Sequence, residues 1–382
     1  MFRIFIITAV LFLFSCRKDA SITAYVPTLD SIPVGDTLVP YVPNLPTDLY
    51  DYEGIIYPQH MLEDPVLNIT ASINSENPVT NEGATLGRVL FYDKNLSFNN
   101  TVSCATCHHQ DKAFADGLAF STGFNGGQTG RNSMAISNIN YNRRFFWDTR
   151  APFIETQVLM PIQDHIEMGM TLSDLESKLS NLDFYAELFI QAFGSSEITS
   201  ERISLALGQF LKAMRSYRSK YDKAVENNFA DYTAEEYMGY EMYFSGDFKC
   251  NNCHNSQNFG GVARQNNGLD AYFTDIGVAN VTQNEDDIGK FKTVSLRNVE
   301  LTAPYMHDSR FGTLEEVIDF YSTDVNAHPN LDERLTTTNQ IGGPPIQFNF
   351  TQEQKSALIA FLKTLTDIDF INDVRYSNPF PN

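Results

Sequence analysis

Cys104-Ala105-Thr106-Cys107-His108 and Cys250-Asn251-Asn252-Cys253-His254 each set two thiols three positions apart with a histidine directly after. That spacing suits covalent haem attachment: each thiol adds across one vinyl group, and the adjacent histidine is carried beneath the iron as its proximal ligand. The chain therefore reads as holding two haem c groups, on Cys104, Cys107 and His108 and on Cys250, Cys253 and His254. A four-cysteine zinc site also uses Cys-x-x-Cys pairs. It does not explain a histidine after both pairs, and the pairs lie far beyond zinc-ribbon spacing. A disulfide redox pair fails on the same histidines.

Other residues with possible chemistry lie around these motifs. Glu167 sits between apolar Ile166 and Met168, Trp147 is the only tryptophan, and Asn132 follows an irregular glycine-rich stretch from Gly117 to Gly130. Irregular backbone near a cofactor is where binding groups tend to sit. Taken singly, Glu167 reads as a surface carboxylate, Trp147 as core and Asn132 as a turn residue.

Taken together, longer segments say more. They are Leu86-Gly87-Arg88-Val89-Leu90-Phe91 before the Ser-Cys-Ala-Thr-Cys-His run, Phe146-Trp147-Asp148-Thr149-Arg150, and Gln157 through Pro161 to Glu167-Met168-Gly169. After the second motif come Ser295-Leu296-Arg297-Asn298 and Ala303-Pro304-Tyr305-Met306-His307-Asp308. In this order they resemble the bacterial di-haem cytochrome c peroxidase family, including its MauG-type branch that matures methylamine dehydrogenase, from Leu86 to Leu365.

The resemblance implies roles. The first haem is peroxidatic, with Glu167 relaying protons while the O–O bond breaks and Gln157 hydrogen-bonding in the same pocket. Trp147 lies between the haems and passes electrons or holes. A calcium ion between the haems is held by the Asn132 side chain and the carbonyls of Thr302 and Pro304, oxygen ligands that suit a hard cation.

Two positions depart from the family pattern. Phe124 stands where many members carry a histidine that caps the peroxidatic iron, so the first haem is expected to be five-coordinate or water-bound, with His109 and His165 the available substitutes. Tyr321 stands where the peroxidase branch carries a methionine ligand to the second iron, as in MauG-type members, with Met306 as rival. A phenolate oxygen favours ferric and higher-valent iron more than a thioether does.

Helices must position these groups. Leu86, Val89 and Leu90 share a helical face before the first motif. Thr171 to Ala192 and Ile203 to Met214 read as helices, the second with the stripe Ile203, Leu207, Phe210, Leu211 and Met214. Thr233-Ala234-Glu235-Glu236, Thr313-Leu314-Glu315-Glu316 and Thr351-Gln352-Glu353-Gln354 are capping boxes, opening helices to Phe244, Tyr321 and about Leu365. Strand signals are few and no internal repeat beyond the haem motifs is visible. The expected fold is all-α: two cytochrome c-like haem domains with long loops and a Pro-rich N-terminal arm.

Arg3, the apolar run Ile4 to Phe14 and Leu13-Phe14-Ser15-Cys16 read as a signal peptide and lipobox, with Cys16 lipidated. One thiol for lipid and four for haem account for all five cysteines. Eight of the 16 prolines fall between Ser21 and Pro78, which implies a tether or extended arm. The expected division is 1–15 signal peptide, 16–80 lipid-anchored Pro-rich tether, 81–225 peroxidatic haem domain and 226–382 electron-transfer haem domain. A formal charge of −20 argues against nucleic acid as partner.

The resulting expectation is an exported, periplasmic or cell-envelope lipoprotein that reduces hydrogen peroxide with electrons from a small donor such as a cytochrome c. It touches membrane only through its anchor; the family it resembles commonly forms homodimers, and the sequence itself leaves the oligomeric state open. A MauG-like oxidase of a protein side chain and a non-catalytic di-haem electron carrier are the alternatives.

Overall fold

Four helices, each opened by a threonine, form two crossing pairs. Thr80, Thr199, Thr233 and Thr351 accept hydrogen bonds from the backbone N–H of Gly83, Arg202, Glu236 and Gln354, satisfying a donor each helix would otherwise leave exposed. In the computed structural model, which describes residues 42–54, 56–73 and 76–381, Asn81–Tyr92 packs on Ser200–Ala213, and Ala234–Phe244 packs on Gln352–Lys363. Both crossings use the same device. A Cβ added to Gly87 would come within 2.0 Å of the Ala206 carbonyl oxygen, and one added to Gly239 within 1.9 Å of the Ala357 carbonyl oxygen. Beside each carbonyl, four residues on, lies a buried phenylalanine, Phe210 or Phe361. Glycine is required at each crossing because only a bare backbone lets the helices approach this closely.

The capping boxes at Thr233, Thr313 and Thr351 open helices at the expected positions. The helix expected over Thr171 to Ala192 is instead two, Leu172–Ser180 and Asp183–Phe193, with Leu182 extended between them. The break re-phases the buried stripe: Leu175 and Leu179 face inward from the first piece, and Tyr185 and Phe189 from the second. One continuous helix would turn Tyr185 away from its buried bond to Asp93, where the phenol donates to Oδ2 at 2.7 Å. The architecture is mostly helical; its only named sheet among the described residues pairs Arg264–Gln265 with Phe291–Lys292.

A repeat hidden in the sequence emerges in the backbone. Asn138 and Asn298 are both left-handed and both donate their N–H just beyond the second helix of a pair, to the carbonyls of Met214 and Leu365. Short helical turns Ile139–Tyr141 and Val299–Leu301 follow. Phe145 then bridges to Ala151, and Tyr305 to Phe311, each closing a turn with two left-handed residues: Phe146 and Thr149 in one, Met306 and Ser309 in the other. In this register Trp147 matches His307, Asp148 matches Asp308 and Arg150 matches Arg310.

The N-terminal segment is an arm packed on the body over the described part of the stretch expected to be a tether. Tyr52, Tyr57, Met61 and Leu67 are buried there. Asp64 Oδ2 accepts from the Gln257 N–H at 2.7 Å, and His60 Nε2 lies 2.9 Å from Asp222 Oδ1, which also receives Arg297. The signal peptide and Cys16 lie outside the described residues. No described helix is long and apolar enough to cross a membrane. At the other end the chain returns to the first helix pair: Arg88 Nε donates to the Ser377 carbonyl and Tyr92 OH to that of Tyr376.

Candidate haem sites and the groups between them

Each Cys-x-x-Cys forms one helical turn ending at its histidine, Cys104–Cys107 before His108 and Cys250–Cys253 before His254. The chain then doubles back through a left-handed phenylalanine, Phe114 (φ 62°) or Phe259 (φ 51°). This aims a carbonyl at the imidazole. Phe114 O lies 2.7 Å from His108 Nδ1, and the carbonyls of Phe259 and Val294 lie 3.1 and 3.0 Å from His254 Nδ1. Nδ1–H donated to a carbonyl fixes the tautomer and leaves the Nε2 lone pair for a metal. Burial lowers both imidazole pKa values, which keeps the rings neutral, the form that ligates.

The four cysteines are half-buried and their thiols neutral: desolvation, with the neighbouring Cys107 next, pushes Cys104 up to about 12, and desolvation, with Cys253 next, does the same for Cys250. No three metal-binding side chains converge among the described residues, so the pairs do not assemble into the four-thiolate zinc site that was the alternative. A cavity of about 280 Å³ opens over Cys250, Cys253 and His254 and reaches Trp147. Lys292 lines it and has no carboxylate within ion-pair distance among the described residues; burial lowers its pKa to about 7. Half-buried thiols, a neutral histidine and a cation without a carboxylate partner together suit a haem with its acidic propionates.

Trp147 connects the two sites. Its Nε1 donates to the Asn132 carbonyl at 2.9 Å, and its own carbonyl accepts from Lys292 N at 2.8 Å. Asn132 N–H reaches the His307 carbonyl at 2.8 Å, and the next residue, Ser133, donates to the Cys107 carbonyl at 3.0 Å with its hydroxyl 3.5 Å from His108 Nδ1. The tryptophan thus stands one residue from the proximal side of the first site and on the wall of the second. His307 is buried, stacks on Phe291 at 3.8 Å and meets Trp147 edge to face. Asn132, Thr302 and Pro304 line the same cavity.

Glu167 belongs to the turn 164–169, which packs on the loop around Phe124. Phe124 N–H donates to the Glu167 carbonyl at 3.0 Å, and a Cβ on Gly123 would collide with the Ile166 carbonyl. The Glu167 carboxyl is raised to about 7, chiefly by burial, with Asp164 adding and Arg150 opposing. Its charge is felt at Cys104 and Cys107, which puts the first motif within its electrostatic reach. Gln157 ends the helix Ile154–Gln157 on the same segment; among the described residues no hydrogen bond joins its side chain to that of Glu167. Phe124 is buried, edge-on to Phe98. His165 is 85 % exposed beside Asp164, and His109 Nε2 lies 3.8 Å from Asp116.

Tyr321 occupies a π-helical stretch, Phe320–Asp324, that continues the helix Leu314–Asp319. Such widened turns recur at functional sites. Its phenol is pushed up to about 12 by burial, with a hydrogen bond from Asn267 opposing and the charges of Cys253 and Cys250 adding, so it faces the second thiol pair. Met306 lines the same cavity. Asn267 Nδ2 lies 3.2 Å from the Tyr321 oxygen and 3.8 Å from the Met306 sulfur. The sequence offered no sign of Asn267, Lys292 or the aimed carbonyls; the hidden repeat, once seen, singles out His307 as the partner of Trp147.

Residues 81–230 match the family model for di-haem cytochrome c peroxidase. The chain is 32% identical over 298 residues to cytochrome c551 peroxidase of Nitrosomonas europaea, covering 77% of this chain and 83% of that one. It is 32% identical over 304 residues to the methylamine utilization protein MauG of Methylorubrum extorquens, covering 76% and 79%. Among solved structures it resembles a MauG-like protein associated with microbial copper homeostasis, with a TM-score of 0.71, 33% identity and coverage of 87% of this chain and 99% of that one.

Proposed function

Because the chain belongs to the di-haem cytochrome c peroxidase family, we propose that it reduces hydrogen peroxide to water with electrons from an external donor such as a small cytochrome c. The observation that carries this reading is the half-buried Glu167 carboxyl, in the turn packed on the Phe124 loop, with its pKa raised to about 7. A haem held by Cys104, Cys107 and His108 would supply the redox chemistry that peroxide reduction needs. Glu167 as carboxylate would take the proton from one peroxide oxygen and return it to the other, which leaves as water. Two electrons and two further protons complete the conversion to two waters. Phe124 has no atom able to ligate, which supports a first site open to peroxide. Trp147, on the wall of the second site and bonded to Asn132 beside the first, would pass the second oxidising equivalent toward His254, and Lys292 and Tyr321 would hold the second haem.

The reading includes a calcium ion on Asn132, Thr302 and Pro304, supported by their lining one cavity, lipidation at Cys16, a cell-envelope location and a homodimer. Tyr321 favours a second reading, MauG-like oxidation of a protein side chain, because an oxygen ligand stabilises the more oxidised iron. Turnover of peroxide with reduced cytochrome c by the haem-loaded protein tests the first. Haem spectral change without donor turnover supports the second. No response to peroxide overturns both and leaves an electron carrier.

A further inference from the structure

Two side chains that could ligate the second iron are held by one amide. The Asn267 nitrogen carries two hydrogens, and its two acceptors are the Tyr321 oxygen at 3.2 Å and the Met306 sulfur at 3.8 Å. We propose that Asn267 is the positioning residue that orients Tyr321 as ligand and weakens the oxygen's donation to the iron. This rests on Tyr321 being that ligand.

The backbone beneath Asn267 is built to be rigid. Asn266 is fully buried, accepting from Gly268 N at 2.8 Å and donating to the Ile288 carbonyl at 3.2 Å. Gly268 is left-handed (φ 73°), and a Cβ there would lie 2.6 Å from Val325 and 2.8 Å from the Asn326 carbonyl. Asn326 N–H returns to the Gly268 carbonyl at 2.8 Å. Val325 and Asn326 directly follow the π-helical stretch that bears Tyr321, so amide and phenol are fixed to one another through a clamp of three residues. Met306 instead sits on a turn, at φ 73°, reached by the weaker of the two bonds. Sulfur is a poor acceptor, so that bond restrains the thioether, while the stronger bond draws electron density from the phenol oxygen. Less donation by the oxygen favours the ferrous state relative to an unbonded phenolate.

The test is potentiometry and electron paramagnetic resonance on the haem-loaded full chain carrying N267L or N267D, both close to asparagine in size. Loss of the donor shifts the second haem about tenfold toward ferric, a fall of about 59 mV for one electron, and the added carboxylate of N267D makes its fall the larger. The first haem keeps its spectrum and potential. If both variants leave the second haem's potential unmoved while Y321F changes its spectrum, Asn267 is a bystander and the proposal fails alone. If Y321F also leaves the spectrum unmoved and M306L changes it, the ligand reading itself is wrong.

Discussion

Trp147 and His307 stand at matched places in two copies of one turn, and their rings meet edge to face with centroids 6.4 Å apart. Where the two halves touch, each therefore presents the equivalent residue to the other. Only one of the pair is readily oxidised. Phenylalanine in place of Trp147 keeps a ring there but removes the indole and its bond to the Asn132 carbonyl. W147F is expected to lower donor-driven turnover about tenfold, near 1.4 kcal/mol on the barrier. Stopped-flow spectra should show the first haem still reacting with peroxide at an unchanged rate.

Glu167 gives the reaction a pH dependence whose sign can be stated. Its pKa of about 7 means that the carboxylate, the form that takes peroxide's proton, grows in as pH rises through neutrality. The rate constant for peroxide should rise between about pH 6 and 8 and then level. E167Q should cut it by roughly 10²–10⁴-fold and flatten the profile, leaving both haem spectra as they were. A steep profile surviving in E167Q would assign the proton to another group.

Arg297 is fully enclosed and forks onto Asp222 with contacts of 2.8 and 2.9 Å, where His60 of the arm also binds. Burial alone would raise the Asp222 carboxyl, but the Arg297 charge and the bonds from His60 and Ser219 hold it well below the usual carboxylate range. Its contribution to stability is thus present above the unfolded pKa near 3.9 and lost as pH falls through the lower folded value. R297L leaves the carboxylate buried without its main partner and should cost about 3–5 kcal/mol at pH 7. In chemical denaturation the deficit should shrink below about pH 4, where the unfolded chain begins to take up the proton.

The glycine crossings should respond alike. G87A and G239A each push a methyl group into a backbone carbonyl and should destabilise by about 1–3 kcal/mol, read as a lower thermal midpoint of the haem-loaded protein.

The haem motifs, the capped helices and the segments carrying the family resemblance were legible because each is a local pattern with a fixed spacing. The helix break at Leu182 was not, since it is imposed by Tyr185 reaching Asp93, distant in sequence. The second copy of the turn escaped notice for another reason: left-handed backbone repeats where the side chains do not, Phe146 against Met306 and Thr149 against Ser309. Asn267 lies in a polar run, Gln265-Asn266-Asn267, that resembles any loop until the chain brings Tyr321 to it.

Phe370 and Tyr376 have a bearing on the order in which the first site is built. Phe114, whose carbonyl aims His108, packs on Phe370 and Tyr376 at centroid distances of 5.6 and 6.5 Å. Tyr376 donates in turn to the Ala213 carbonyl at 2.7 Å, at the end of the first half's second helix. A growing chain thus has its first motif early yet lacks the wall behind that histidine until Phe370 and Tyr376, more than 250 positions later, have been added. The first histidine's surroundings are completed by residues that follow the second motif.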